Sequence, residues 1–391
     1  MRIILITSKL NFISAGGSVL DLHLKAKSLH ELGHTVTVVT AFSPANKINQ
    51  PLPYIVKEAD LTASGWIPQQ RGLYLLLKKY ESEADAFYID GNTFLYGGGF
   101  YRWLGGKVPV VAFFNIKLSC WSDTQNNDKK KQTSLAKLKR KIRFLIEKYI
   151  GVPIANHLDA FIFTTPMVER LYLNFGFKKE KSHVIPDFIN TEDIVKKCNI
   201  THQTIAEHQA AASPVTLFCS GRMIPEKGFD LVIKAFAAVK TKENFRVIMS
   251  GGGPDRDRLM ALAKELNSDS FISFPGWVKK EELEQFFRQA HIFILPKWWI
   301  EYTSVLLIEA MAYGLPCIVP KGGGLEWLTQ KGALTFSEDS VEELTRQIET
   351  LGANAELRRE LALNSFSKSK ELDYRKLGRE LESIMRQDFS L

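Results

Sequence analysis

The chain has 391 residues, of which 45% are hydrophobic and 24% are charged, and its formal net charge is +8. This length predicts two domains of roughly 190 residues each, and the hydrophobic content is sufficient for large packed cores. No apolar run approaches the ~18 residues that a membrane-spanning helix needs, which argues against transmembrane helices.

The sequence also predicts a cellular compartment. The first residues, MRIILITSKL, run directly into a strand-like segment and show no signal-peptide cleavage region. The four cysteines, Cys120, Cys198, Cys219 and Cys317, are far apart and lack the spacing of metal ligands. Cys219 and Cys317 lie within apolar strand-like runs, where buried free thiols are expected. We therefore expect a reducing, cytoplasmic location.

Strand-like and helix-like segments alternate along the chain. The apolar strand RIILIT is followed by a loop and by a helix from about Ser18 to Leu32, which Gly33 ends before the strand TVTVVT. Further short apolar strands follow in chain order: VPVVAFF, DAFIFTT and SHVIP, then VTLFCSG, FRVIMSG, HIFILP and PCIVP. Strands that are buried on both faces and separated by helices predict α/β domains with doubly wound parallel sheets.

The strand series restarts near Pro214, after a polar, alanine-rich stretch over residues 190–213. Sequence determines boundaries poorly, so this domain boundary is placed within ~10 residues. The predicted domains are residues 1–200 and residues 201–372, followed by a helical segment over residues 373–391.

Gly16 and Gly17 lie between the first strand and its helix, where a phosphate-binding loop lies in α/β folds. Turns need glycine in any case, so the pair alone is weak evidence for a ligand.

A strongly basic segment runs from Lys129 to Lys148. It holds nine basic residues and one acidic residue, so its excess equals the +8 of the whole chain. Six apolar residues form one stripe at helical spacing: Leu135, Leu138, Ile142, Leu145, Ile146 and Tyr149. The segment could be an amphipathic helix packed on its own domain, a membrane-binding face or a nucleic-acid site. Charge of a single sign favours an anionic membrane, at the inner face of the plasma membrane, and no base-stacking pattern supports nucleic acid.

The strand VTLFCSG leads into a turn that carries two cations between glycines. Arg222 and Lys227 lie between Gly221 and Gly228. A glycine-bounded turn after a parallel strand is suited to hold a diphosphate at the carboxyl edge of a sheet. An isolated pair of this kind would more often be solvated surface charge.

Asp255-Arg256-Asp257 is a D-x-D sequence, a pattern that binds a metal ion in some enzymes. It follows Gly-Pro at the start of a helix, where the helix dipole favours acidic residues. We therefore predict that it binds no metal.

The segment from Ile294 to Leu328 carries two glutamates, Glu301 and Glu309. Thr303 and Ser304 are suited to cap the helix that begins near Val305, and Gly314 and Pro316 would end it. The free N–H groups of a helix N-terminus beside a glycine loop form an anion site, and nearby carboxylates accept hydrogen bonds from hydroxyls. This combination predicts a ligand with a phosphate and sugar hydroxyls, such as a sugar nucleotide.

These motifs resemble those of the family 4 retaining glycosyltransferases, which have the GT-B fold. The family pattern P-S-x-x-E-G-F-G-L-x-x-x-E-A-M-A-x-G-x-P, followed by G-G-x-x-E, corresponds here to Pro296, Glu301, Glu309-Ala310-Met311-Ala312, Gly314, Pro316 and Gly323-Gly324-Leu325-Glu326. The family's G-R-x-x-x-x-K-G pattern corresponds to Gly221–Gly228. The resemblance is strongest over residues 215–328 and implies two facing Rossmann-like domains, with the final helix crossing back to the first.

The resemblance also implies a role for individual residues. Arg222 and Lys227 would neutralise the leaving diphosphate, Glu301 would orient the donor sugar, and Glu309 would bind the ribose. Other donor-binding positions would be Gly16, Gly17, Gly221, Gly252, Trp277, Val278, Thr303, Ser304 and Val305. The implied reaction moves a sugar, with retention, from a nucleoside diphosphate to a lipid-linked or glycan acceptor, in cell-surface polysaccharide or glycolipid biosynthesis. No metal and no other cofactor is expected.

Two departures from the family pattern support an alternative. Asn115 lies where the family commonly has a histidine near the reacting sugar, and an amide cannot carry a proton as imidazole does. Tyr302 and Ser304 replace glycines after the first glutamate. The alternative is a non-catalytic partner that binds sugar nucleotides and supports an active transferase.

Overall fold

The computed structural model describes residues 1–12, 17–61, 65–116, 134–210, 214–297 and 303–389, without the side chains of residues 134–137, 139 and 140. The chain forms two compact units. Unit 1 consists of Met1–Phe188 and Tyr374–Leu391, and unit 2 consists of Ile189–Asp373.

Unit 1 is built on a parallel sheet. Its strands are β1 (Arg2–Thr7), β2 (Thr35–Thr40), β3 (Ile55–Glu58), β4 (Ala86–Asp90), β5 (Val110–Phe114), β6 (Ala160–Phe163) and β7 (Ser182–Val184). The seven strands are all parallel, in the order β3-β2-β1-β4-β5-β6-β7. Its helices within residues 1–188 are α1 (Gly17–Glu31), α2 (Trp66–Tyr80), α3 (Gly91–Trp103), α4 (Ser134–Ile146), α5 (Val152–Ala155) and α6 (Pro166–Phe175). A π-helical turn over Glu147–Gly151 joins α4 to α5.

Unit 2 repeats this design with a six-stranded sheet. Its strands are β8 (Val215–Ser220), β9 (Phe245–Ser250), β10 (Ile272–Gly276), β11 (Ile292–Ile294), β12 (Cys317–Pro320) and β13 (Ala333–Phe336). They are parallel, in the order β10-β9-β8-β11-β12-β13. Its helices are α7 (Thr191–Cys198), α8 (His202–Ala210), α9 (Phe229–Ala237), α10 (Arg256–Glu265), α11 (Lys280–Gln289), α12 (Val305–Ala312), α13 (Gly324–Thr329), α14 (Val341–Ala353) and α15 (Ala355–Ser369).

The prediction of two doubly wound parallel-sheet domains is confirmed. The predicted strands all occur, and the structure adds β3, β4, β10 and β13. Three of the added strands are only partly buried, so their sequences lack a continuous apolar run. The thiols of Cys219 and Cys317 are buried and free in unit 2, and burial raises the pKa of Cys317 to about 12.

The division between the units lies earlier than the sequence-based boundary after residue 200. Helix α7 belongs to unit 2, because Ile194 and Cys198 on it and Ile200 just beyond it pack against the core beneath α12. Polarity had indicated a linker in this stretch. An amphipathic helix with one apolar face has the same average polarity.

The last helix, α16 (Tyr374–Asp388), belongs to unit 1. Tyr374, Leu377 and Leu381 are buried in the same core cluster as Ile3 and Leu5 of strand β1. Among the described helices, none is long and apolar enough to cross a membrane.

Candidate active site at the carboxyl edge of the second sheet

The turns that follow β8, β9, β10, β11 and β12 all lie at the carboxyl edge of the second sheet, because these strands are parallel. The site residues predicted in the second half of the chain that the structure describes lie on these turns or on the helices that follow them. The sheet topology therefore collects on one edge the motifs that the sequence spreads over about a hundred residues.

Glycines allow three of these turns to approach one another very closely. A Cβ atom at Gly251 would lie 1.9 Å from the carbonyl oxygen of Gly221, and one at Gly253 would lie 2.3 Å from that of Met223. The backbone N–H of Met223 donates to Gly252 O at 2.8 Å, and that of Gly251 donates to Gly276 O at 2.8 Å. Any side chain at Gly251 or Gly253 would force the turns apart.

The two predicted phosphate-binding cations lie on the first of these turns. Arg222 is exposed, whereas Lys227 is half-buried. Burial and the positive charge of Arg222 lower the pKa of Lys227 to about 8. The turn ends at Gly228, where an added Cβ would lie 2.5 Å from Cγ of Lys297 in the segment after β11. A bound anion would offset the repulsion between the two cations and restore the charge of Lys227.

Trp277 follows β10 and is 70% exposed. Its indole lies against the neighbouring turn, because an added Cβ at Gly252 would be 2.7 Å from both Cδ1 and Nε1 of that ring. Val278 beside it is half-buried. A large exposed aromatic ring at a sheet edge provides a stacking surface for a planar ligand.

Helix α12 begins as the sequence predicts. Ser304 is its N-cap, and its hydroxyl accepts a long hydrogen bond, 3.4 Å, from the N–H of Leu307. Thr303 and Val305 are half-buried, and the buried hydroxyl of Thr303 has no hydrogen-bond partner among the described residues. Glu301 lies outside the described residues, so its predicted role stays a prediction.

Glu309 lies in the middle of α12 and is half-buried. Burial raises the pKa of this carboxyl to about 7, and the nearby Lys280 partly opposes the rise. In the turn after β12, the N–H of Gly322 donates to Glu326 Oε2 at 2.5 Å. This hydrogen bond ties the glycine loop to the helix α13 that follows it. Glu309 is thus poised to gain hydrogen-bond donors from a ligand, which would favour its charged form.

The two acids of the D-x-D sequence do not converge. Asp255 is buried and accepts two hydrogen bonds from the guanidinium of Arg258, at 2.5 and 2.7 Å, whereas Asp257 is exposed. Among the described residues, no cluster of three or more His, Cys, Asp or Glu side chains could hold a metal ion.

In unit 1, Asn115 directly follows β5 and is half-buried. Its N–H donates to Oδ1 of Asn92 at 3.3 Å, and Nδ2 of Asn92 donates to the carbonyl oxygen of Ile116 at 2.8 Å. Sequence reasoning missed Asn92. Its signal was the Asp90-Gly91-Asn92 turn after β4, in which Asp90 caps α3. Gly17 is the exposed first residue of α1, and Gly16 lies outside the described residues.

Two family models match the chain. The model for glycosyl transferases group 1 matches residues 201–368, and the model for Glycosyltransferase Family 4 matches residues 15–193. The chain belongs to the family 4 glycosyltransferases. Solved structures with its fold are GT-B glycosyltransferases, as the sequence resemblance implied.

Curated relatives of this glycosyltransferase include mannosylfructose-phosphate synthase of Agrobacterium fabrum, 30% identical over 43% of the chain and 38% of the relative. The lipopolysaccharide core biosynthesis glycosyltransferase LpsE of Rhizobium meliloti is 27% identical over 52% of the chain and 57% of the relative. Each match thus spans less than two thirds of the relative's length. The crystal structure of Anabaena HepE in complex with UDP covers 99% of the chain and 100% of HepE, with a TM-score of 0.73 at 17% identity.

Proposed function

We propose that this glycosyltransferase moves a sugar, with retention of configuration and without a metal, from a nucleoside diphosphate sugar to a lipid-linked or glycan acceptor. The observation that carries the proposal is the turn of Arg222 and Lys227, where two cations are held side by side and one has a lowered pKa. A departing diphosphate would bring negative charge to these two cations. Neutralising that charge in the transition state is often the largest single catalytic effect.

The remaining groups at this edge have complementary roles. The N–H groups at the start of α12 and the hydroxyl of Thr303 would bind phosphate oxygens. Trp277 would stack on the base. Glu309 would accept hydrogen bonds from the ribose, and Glu301 would orient the hydroxyls of the donor sugar. The solved complex of HepE with UDP, which has the same fold, supports a nucleoside diphosphate as the ligand class.

An acceptor at a membrane is supported by the described part of the basic segment. Its apolar stripe is exposed at Leu138, Ile142, Leu145, Ile146 and Tyr149 rather than packed against unit 1. Exposed apolar residues beside lysines and arginines are typical of helices that lie in the interface of anionic membranes. The relative LpsE is named for lipopolysaccharide core biosynthesis, which supports a glycolipid acceptor.

The test is a panel of sugar nucleotides with the purified protein and a lipid extract as the acceptor source. Release of the nucleoside diphosphate and the anomeric configuration of the product, read by NMR, report the reaction and its stereochemistry. The expected result is turnover with one donor, an unchanged anomeric configuration and full activity in EDTA. An inverted product, or activity that EDTA removes and magnesium or manganese restores, would contradict the proposal.

The non-catalytic alternative rests on Asn115, because an amide cannot shuttle a proton at this position. It predicts that a donor nucleotide binds in calorimetry while no donor is consumed, even with acceptor present. Donor consumption that Asn115→Ala reduces would exclude this alternative.

A further inference from the structure

An apolar groove runs between α2 and α3 of unit 1 and is called the α2–α3 groove below. It encloses about 250 Å³, and its lining includes Trp66, Ile67, Tyr74, Phe100 and Leu104. Its floor is formed where the two helices approach each other. An added Cβ at Gly97 of α3 would lie 2.5 Å from the carbonyl oxygen of Gln70 in α2.

The walls of the groove expose almost only carbon atoms. Gln70 does not change this, because its amide is already bonded within the protein. Its Nε2 donates to Thr93 O at 2.8 Å, and its Oε1 accepts from the N–H of Gly97 at 2.8 Å. A sugar ring would find few hydrogen-bond partners here, so the groove favours a hydrocarbon occupant.

A second pocket of about 220 Å³ shares Trp66 and Tyr96 with the groove, and because part of its lining is polar it is called the polar pocket below. The lining of the polar pocket includes Asn92, Thr93, Arg143 and Glu147. The guanidinium of Arg143 lies 5.6 Å from the centre of the Trp66 ring and is bonded to Glu147 at 3.0 Å. The apolar groove and the polar pocket are therefore neighbours, with Trp66 and Tyr96 between them.

Charged side chains and one hydrogen bond indicate which end of a bound ligand would lie in the polar pocket. Arg71 is exposed at the groove, Arg143 lies at the polar pocket, and Lys141 is exposed on the same helix as Arg143. Asn92 of the polar pocket is hydrogen-bonded to Asn115, the position that the family resemblance assigns to the reacting sugar. A ligand with its chain in the groove would therefore place an anionic head group beside Arg143, in competition with Glu147 for that guanidinium, and on the side of Asn115.

We propose that the α2–α3 groove holds the hydrocarbon chain of the acceptor, an anionic lipid whose phosphate lies at the polar pocket. The proposal rests on the proposed function and specifies its acceptor. The mouth of the groove is apolar and exposed, because Ile67 is 71% exposed and Leu104 is 58% exposed. A hydrocarbon chain could therefore enter it from a membrane. Arg71, Lys141 and Arg143 outnumber the one acidic residue of the polar pocket, Glu147, so the net charge around the site complements a phosphate.

The first experiment uses butyl, hexyl, octyl and dodecyl phosphate below their micelle concentrations, with inorganic phosphate as the head group alone. Affinity measured by calorimetry should rise about threefold to fourfold for each added methylene until the groove is full, which follows from the transfer free energy of one CH₂ group. Dodecyl glucoside, which has the same chain and no charge, should bind more weakly than dodecyl phosphate. An affinity that does not depend on chain length would overturn the proposal.

The second experiment compares variants with matched exposure. Ile67→Gln and Leu104→Gln should each lower the affinity for dodecyl phosphate about tenfold or more. Leu75→Gln is the control, because Leu75 lies on α2, is 53% exposed and does not line the groove. With a lipid acceptor, the two groove variants should raise the acceptor KM while kcat and donor KM stay unchanged.

Two other outcomes count against the proposal. If the groove variants weaken binding to vesicles but not to monomeric dodecyl phosphate, this surface contacts the membrane and holds no chain. If the chain binds in the groove and donor is hydrolysed, but no lipid is glycosylated, the occupant is not the acceptor. Failure of the proposed function itself is distinguishable, because it appears as no donor consumption under any condition, as an inverted product or as metal-dependent activity, none of which depends on the groove variants.

Discussion

The carboxyl edge of the second sheet and the α2–α3 groove are built in opposite ways. The edge is made by backbone, with glycines that let turns approach to distances no side chain would allow and with cations held on those turns. The groove is made mainly by apolar and aromatic side chains on two helices, and Gly97 is the glycine that lets those helices approach. A site built from backbone geometry restricts residue identity and so leaves a motif in the sequence. A site built from side-chain surface accepts many residues and leaves none.

The largest effect is expected at the cations of the edge. Arg222→Ala should lower kcat about 10²–10³-fold, as loss of one group that stabilises transition-state charge does. Arg222 is exposed, so the free energy of unfolding should stay nearly constant. Lys264→Ala, an exposed cation of the same unit, is the control. If Arg222→Ala has the same kcat as the control, the diphosphate does not bind at this turn.

The next effect concerns the packing of the turns. Gly251 and Gly276 both have positive φ, +119° and +84°, but an added Cβ meets the Gly221 carbonyl only at Gly251. Gly276→Ala should cost about 1–2 kcal/mol for the backbone alone, and Gly251→Ala about 2 kcal/mol more for the clash. Urea unfolding of the two variants measures the difference. Equal costs would mean that the turns are not held together by close backbone contact.

A smaller effect is expected for the basic helix of unit 1. Converting Lys141 and Lys148 to glutamine should weaken binding to anionic vesicles roughly 30-fold at low salt, at ~1 kcal/mol per charge. The matched control converts Lys240 and Lys264, two exposed lysines of unit 2, to glutamine. Vesicle co-sedimentation in increasing salt measures the effect, because salt screens such attraction. Equal losses in both double variants would indicate attraction by overall charge rather than by this helix.

The smallest effect is a pH dependence at Glu309. Its pKa of about 7 lies above the ordinary value of 4.5, and hydroxyl donors of a ribose would favour the charged form. Donor affinity should therefore rise less than tenfold between pH 6 and 7.5, and Glu309→Gln should abolish that rise. Above pH 8 the loss of charge at Lys227 acts in the opposite direction, so the lower window isolates Glu309. A flat wild-type profile would mean that the ribose does not contact this carboxyl.

The raised pKa of Glu309 also affects stability. Because the folded state holds the proton more tightly than the unfolded state, the stabilising contribution is fully present below pH 4.5. It is lost as the pH rises through 7. Glu309→Gln should remove this dependence.

The sequence predicted features that local residue patterns determine, and it did not predict features that depend on contacts between distant segments. The parallel sheets and the start of α12 at Ser304 were predictable. Continuous apolar runs indicate buried strands, and capping residues indicate where a helix begins, without reference to the rest of the fold. Strands β10 and β13 were not, since their half-exposed residues give no clear period. Asn92 had a local signal in the turn after β4, but its proximity to Asn115 depends on the fold. The groove was not predictable, because its residues come from separate helices and only the fold makes them neighbours.

The passage of the chain through unit 2 before it returns to unit 1 has a consequence for biosynthesis. Unit 2 is one continuous segment, Ile189–Asp373, so it can fold as soon as it has left the ribosome. Unit 1 lacks Tyr374, Leu377 and Leu381 of its core until α16 has been translated. The first half of the protein, although it is made first, therefore completes its fold last, and its unfinished apolar core is the part that chaperones would need to protect during synthesis.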